Sequence, residues 1–210
     1  MAAALALAGF PSLAQEPARK DKAFETKGMP PRQNPAEYQT ATKVGQLTMA
    51  ADFAGHGVPT ADGLYSNEEY LVVEVAFFGP AGSHLNLSYK DFSLRINGKK
   101  SPVAAQSYEG AFSTLKDPEW TPPPTDPKSK GSSFNTNGQT ADPPPAPPKM
   151  PMNLRLVMEQ KVQRAAVPEG ERPLPVAGIL FFQHGGKVSG IRSLELIYEG
   201  AAGKGKLSLQ

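Results

Sequence analysis

Apolar and polar positions alternate most clearly in YLVVEVAFF, residues 70–78, where Leu71, Val73, Val75 and Phe77 share one face and Glu74 lies on the other. The second face adds Val72, Ala76 and Phe78, so the pattern predicts a central strand covered on both sides. Gly79, Pro80, Gly82 and Ser83 then reverse the chain, because proline donates no ladder hydrogen bond and glycine tolerates positive φ. Phe92, Leu94 and Ile96 alternate with Ser93, Arg95 and Asn97, and the pair Asn97 and Gly98 predicts a type I′ turn into residues 99–103. These segments read as a meander.

Residues 44–53 predict a first strand, with Val44, Gln46 and Thr48 on one side and Leu47 and Met49 on the other, and the pattern leaves the inward side open. Residues 55–63 have loop chemistry. Towards the C-terminus, residues 178–182 predict an apolar strand, and Leu194, Leu196 and Tyr198, then Leu207 and Leu209, predict two more, with turns at 185–187 and 200–203. One stretch has a helical period instead. In residues 152–166, Leu154, Val157, Met158 and Val162 fall at i, i+3, i+4 and i+8, Pro151 suits the start, and Pro168 with Gly170 ends it. The apolar stripe is expected to pack on the sheets.

Elsewhere the periodicity fails. Residues 15–41 carry Glu, Lys, Arg and Pro with few apolar positions and read as a disordered linker. Residues 117–151 hold half of the 22 prolines, in an insertion whose aromatic residues are Trp120 and Phe134. Such a segment is either an inert exposed insertion or a docking ligand for an aromatic groove. Trp120 and Phe134 are its candidate contact residues, Trp120 being equally suited to plug the core. Residues 1–14 are apolar and end in Ser12-Leu13-Ala14, a small-x-small pattern before Gln15 that reads as the remnant of a secretory signal without its basic start. The run is too short to span a bilayer.

Composition narrows the classes. The length of 210 residues with 39% hydrophobic and 20% charged content suits one domain, taken as residues 42–210 with the proline-rich insertion inside it. A net charge of +2 gives no ground for a nucleic-acid or membrane-surface partner, and the absence of cysteine excludes disulfides, thiol nucleophiles and a lipid-modified N-terminal cysteine.

Candidate chemistry is thin. His56, His84 and His184 sit beside glycine or serine in expected turns, and a metal or hydrolytic site would need them to converge with support from Asp52, Asp62 or Asp91. Met150 and Met152 lack a neighbouring histidine or cysteine. No G-x-S-x-G is present, Glu68 and Glu69 point to opposite strand faces, and the Gly/Lys run at 200–206 leads into a strand rather than the helix a phosphate loop needs. No catalytic, cofactor-binding or metal-ligating residue is assigned.

The order YLVVEVAFF, LNLSYKDFSLRINGKK, GILFF and SLELIY resembles the bacterial secreted immunoglobulin-like domains of unknown function, over residues 44–103 and 178–209. Tyr70, Asp91, Phe92 and Gly98 carry the likeness, while the proline-rich insertion and the helix depart from it. The resemblance implies a periplasmic or secreted protein with an all-β fold: an antiparallel immunoglobulin-like β-sandwich of about seven strands, here with one inserted helix. It supplies no site residues and no cofactor. The function expected is a non-catalytic module that binds an unknown protein or envelope component or plays a structural part, without membrane insertion. The alternatives are a periplasmic metal-binding or hydrolytic protein using the loop histidines, and a docking ligand acting through the proline-rich loop.

Overall fold

The computed structural model describes residues 27–123 and 149–210. In chain order its strands are β1 (Thr40–Val44), β2 (Leu47–Gly55), β3 (Gly57–Thr60), β4 (Gly63–Asn67), β5 (Tyr70–Phe78), β6 (His84–Leu87) and β7 (Phe92–Ile96). They continue as β8 (Val103–Ala104), β9 (Leu115–Lys116), β10 (Gly170–Pro173), β11 (Val176–Gln183), β12 (Leu194–Gly200) and β13 (Gly203–Ser208). The helices are α1 (Tyr108–Ala111) and α2 (Met152–Ala165). The fold is mostly β, its strand pairs antiparallel.

Two four-stranded sheets, β1-β2-β5-β11 and β13-β12-β7-β8, share one core. Period-two alternation sends Leu71, Val73, Val75 and Phe77 of β5 into it, where they meet Phe92 and Leu94 of β7 and Leu196 and Tyr198 of β12. The rings of Phe77, Phe92 and Tyr198 form its centre, with Phe77 and Tyr198 centroids 5.0 Å apart in a tilted pair. The opposite face of β5 and β11 is also buried, as the apolar reading of both faces required. There Tyr70, Val72, Ile179 and Phe181 pack against Met158, Val162 and Ala165 of α2 and against Val58, Tyr65 and Leu115 from the small sheet β3-β4-β9. Nearer the other end of the same face, Ala50, Ala76 and Ala177 make a low floor that receives Tyr38.

The edge of β11 away from β5 is closed piecemeal. The amides of Met29, Val167 and Gln106 donate to the carbonyls of Ala177, Ile179 and Phe181 respectively. The chain at Val167 comes so close that a Cβ on Gly178 would lie 2.5 Å from the Val167 Cα, so only glycine fits there.

Several expectations change. The described part of the expected 15–41 linker is folded: residues 27–39 form a strap with a 3₁₀ turn at Pro35–Glu37, and β1 begins at Thr40. The single strand over 44–53 is a hairpin, β1 and β2, that turns at Gly45 and Gln46. The loop over 55–63 contains β3 and the first residue of its partner β4. In place of a meander, the chain crosses between sheets, since β5 and β7 lie in different sheets and β6 pairs with β10. Thirteen strands are present among the described residues rather than about seven, because the small sheet β3-β4-β9, the pair β6 and β10, and the splitting of the first strand into β1 and β2 add to those expected. Asn97 and Gly98 adopt φ of 51° and 65°, as a type I′ turn demands, yet pairing resumes only at Val103.

The helix runs over 152–165 as the periodicity predicts, but half of its expected stripe is not buried. Met158 and Val162 face inward with Ala165, whereas Leu154 and Val157 are exposed. Of the proline-rich insertion, residues 124–148, with Phe134, lie outside the described residues.

Candidate functional site

The one charge in the run of β5, Glu74, is 8% exposed on the outer face of the central sheet. Its cross-strand neighbour in β2 is Asp52. The strap brings a cation to both: the Arg32 guanidinium pairs with Asp52 and, at 3.2 Å, with Glu74. The same guanidinium carbon stands 4.2 Å above the ring of Tyr38, whose hydroxyl accepts from the Arg32 amide at 3.2 Å. Asp52 also accepts from the Gln39 amide, so each carboxylate has a donor. Burial pushes the Glu74 carboxyl above the ordinary carboxylate range, with Arg32 opposing and the Asp52 charge reinforcing the rise. Burial likewise raises the Tyr38 phenol. For Arg32, burial works against the charge, but the Asp52 hydrogen bond and the Glu74 and Asp52 charges outweigh it and hold the guanidinium above its usual value.

This arrangement clasps the strap to the sheet. One cation of the same chain pairs with both carboxylates, a single positive charge between two negative ones, and so offsets the burial of Glu74. Reading the sequence singled out neither Arg32 nor Tyr38. The available signal was Glu74, a lone carboxylate inside nine otherwise apolar residues, which needs a cation from somewhere.

The structure separates His84 from the other two histidines. His56, in the turn between β2 and β3, and His184, just past β11, lie at the end of the sheet where β5 begins. His84 starts β6, opposite Pro173 and close to where β5 ends. The Nδ1 of His56 is 3.0 Å from the Asn67 carbonyl and 2.9 Å from that of Tyr70, while its Nε2 is 3.2 Å from the Gly186 carbonyl. Both ring nitrogens therefore face acceptors, an arrangement that ties two loops to β5. Burial, helped by His56 and Lys99, lowers the His184 imidazole below its ordinary value, and His184 lines an open cleft of about 360 Å³ with Asn97 and Lys187. No group of three or more His, Asp or Glu among the described residues is placed to hold a metal.

Trp120 is half-buried at the end of the described part of the insertion, its amide donating to the Asp117 carbonyl, and it belongs to none of the core clusters. The buried polar residue in this region is Asn67, whose amide donates to the Ala111 carbonyl at 2.7 Å and whose carbonyl accepts from Glu69 and Thr114. These bonds pin α1 and the turn after it to β4. No family model, curated protein or solved structure compared with the chain matches it.

Proposed function

We infer that the protein is an exported immunoglobulin-like module of the cell envelope, with a binding or structural role and no chemistry of its own. The observation that carries this reading is strand order. Taken as A, B and E, the strands β2, β5 and β11 are neighbours in one sheet, and β7, β12 and β13, taken as C, F and G, are neighbours in the facing sheet, with β8 in the place of C′. The inter-sheet disulfide and core tryptophan of antibody domains have no counterpart here, their place being taken by Phe77, Phe92 and Tyr198. The charged cluster supports a non-catalytic reading because its groups are spent on one another. The apolar residues 1–14 before Gln15 support export.

Expression of the chain in a bacterium, followed by fractionation and intact mass measurement, tests the reading. The expected product is periplasmic and begins at Gln15; a full-length product retained in the cytoplasm contradicts export. The second reading is a docking ligand at residues 117–151, tested by comparing the partners of the full chain with those of a chain lacking them.

A further inference from the structure

The large apolar side chains that the described residues expose are concentrated in one layer. Met152, Leu154, Leu156 and Val157 are 69%, 46%, 49% and 48% exposed, all within the first two turns of α2, and Leu64 on the adjoining sheet is 59% exposed. The helix is held from beneath by Met158, Val162 and Ala165, and by Arg155 donating to the Phe112 carbonyl, so these four side chains project from an anchored element. Helical spacing stacks Met152 with Leu156 on one flank and Leu154 with Val157 on the other. The surroundings are basic. Residues 149–165 contain Lys149, Arg155, Lys161 and Arg164 against the single acid Glu159, which pairs with Arg155 at 2.9 Å, while Asp62 of the adjoining turn stands 3.8 Å from Lys161; with Asp62 counted, the local charge is +2.

We propose that the first two turns of α2, with their basic surround, adsorb the protein onto the surface of an anionic phospholipid membrane. Apolar anchors inserted at headgroup depth and lysines and arginines near the lipid phosphates are the two terms that hold an interfacial helix on a bilayer. Size favours lipid over protein: six residues span about 9 Å of helix, whereas a specific protein interface buries on the order of 1,000 Å² or more. A bilayer needs no matching shape. Like charge on the two faces disfavours a second copy of the chain. Adsorption differs from spanning, and no described helix is long and apolar enough to cross a membrane.

The test uses the purified full chain and lipid vesicles, and so is independent of export: either reading can fail while the other stands. Flotation is expected with vesicles of phosphatidylglycerol and phosphatidylcholine in equal parts, not with phosphatidylcholine alone, and is expected to weaken steeply with salt. Leu156→Asp is expected to lower binding tenfold or more. Each basic residue near the surface is worth about fivefold, so Lys161→Gln with Arg164→Gln is expected to lower it roughly twentyfold. Because the chain has no cysteine, Leu154→Cys provides a unique site for an environment-sensitive fluorophore. Its emission is expected to shift blue on anionic vesicles, and that of a label at Lys100→Cys to stay unchanged. Failure to float, undiminished binding by Leu156→Asp, or equal responses from the two labels overturns the proposal. Self-association in the absence of lipid that Leu156→Asp abolishes reassigns the face to a homotypic contact and overturns it too. Should Leu156→Asp alter the melting curve, the paired labels decide.

Discussion

The two faces of the sheet β1-β2-β5-β11 are buried by different means. The inner face meets a second sheet, and its residues Leu71, Val73, Val75 and Phe77 enter a continuous apolar core. The outer face is covered by pieces: the strap at one end, α2 and the small sheet β3-β4-β9 at the other. It also carries Glu74, which only an ion pair supplied from the strap makes tolerable. One face is closed by matched periodic strands, the other by segments that need specific partners. Burial of equal depth thus rests on unequal chemistry.

That contrast predicts a graded response. Phe77→Ala removes the ring at the centre of the inner core and is expected to cost about 3–5 kcal/mol, read as a lowered midpoint in urea unfolding. Arg32→Ala strikes the outer face, stranding Glu74 beside Asp52 and loosening Tyr38, with an expected loss of about 2 kcal/mol and faster hydrogen exchange at Met29. If both variants lose the same amount, the two faces are not energetically distinct.

A smaller effect follows from pH. The Glu74 carboxyl titrates higher in the folded chain than in the unfolded one, so between those two values the folded state holds more protons. Stability from this group is therefore present at low pH and declines as pH rises through the raised folded value. Unfolding of the parent and of Glu74→Gln, compared between about pH 4 and pH 7, should show the variant gaining on the parent as pH increases. A constant difference would remove the desolvation account. Least affected is Leu156→Asp, which is expected to change stability by no more than about 0.5 kcal/mol in the absence of lipid, because its side chain is 49% exposed and belongs to none of the core clusters.

The inner face was legible in the sequence because the alternation of β7 and β12 and the apolar runs of β5 and β11 are local properties, each readable within nine residues. The buried outer face of β5 was legible for the same reason. What covers that face was not. Arg32 lies 42 residues from Glu74, and nothing in the composition of the strap distinguishes it from a solvated linker. The outer strands β3 and β4 were hidden by Gly57, Pro59 and Gly63, residues whose usual place is a turn. In α2 the period gave the right limits but placed Leu154 and Val157 inside, since spacing locates a stripe without saying how far along the helix its support extends. The glycine and serine neighbours of the histidines mark them as turn residues, and only the sheet's geometry separates His84 from the other two.

The edge of β11 is sealed only when three distant parts of the chain meet on it. Three consecutive outward carbonyls wait for amides from residues 29, 106 and 167, which are remote from one another along the chain. Until all three arrive, β11 presents a row of open rungs, the kind of template on which strands of separate molecules join. Trimming the chain past Met29 leaves the Ala177 rung vacant in the finished protein, and fibrous or strand-exchanged aggregates are expected to nucleate there first.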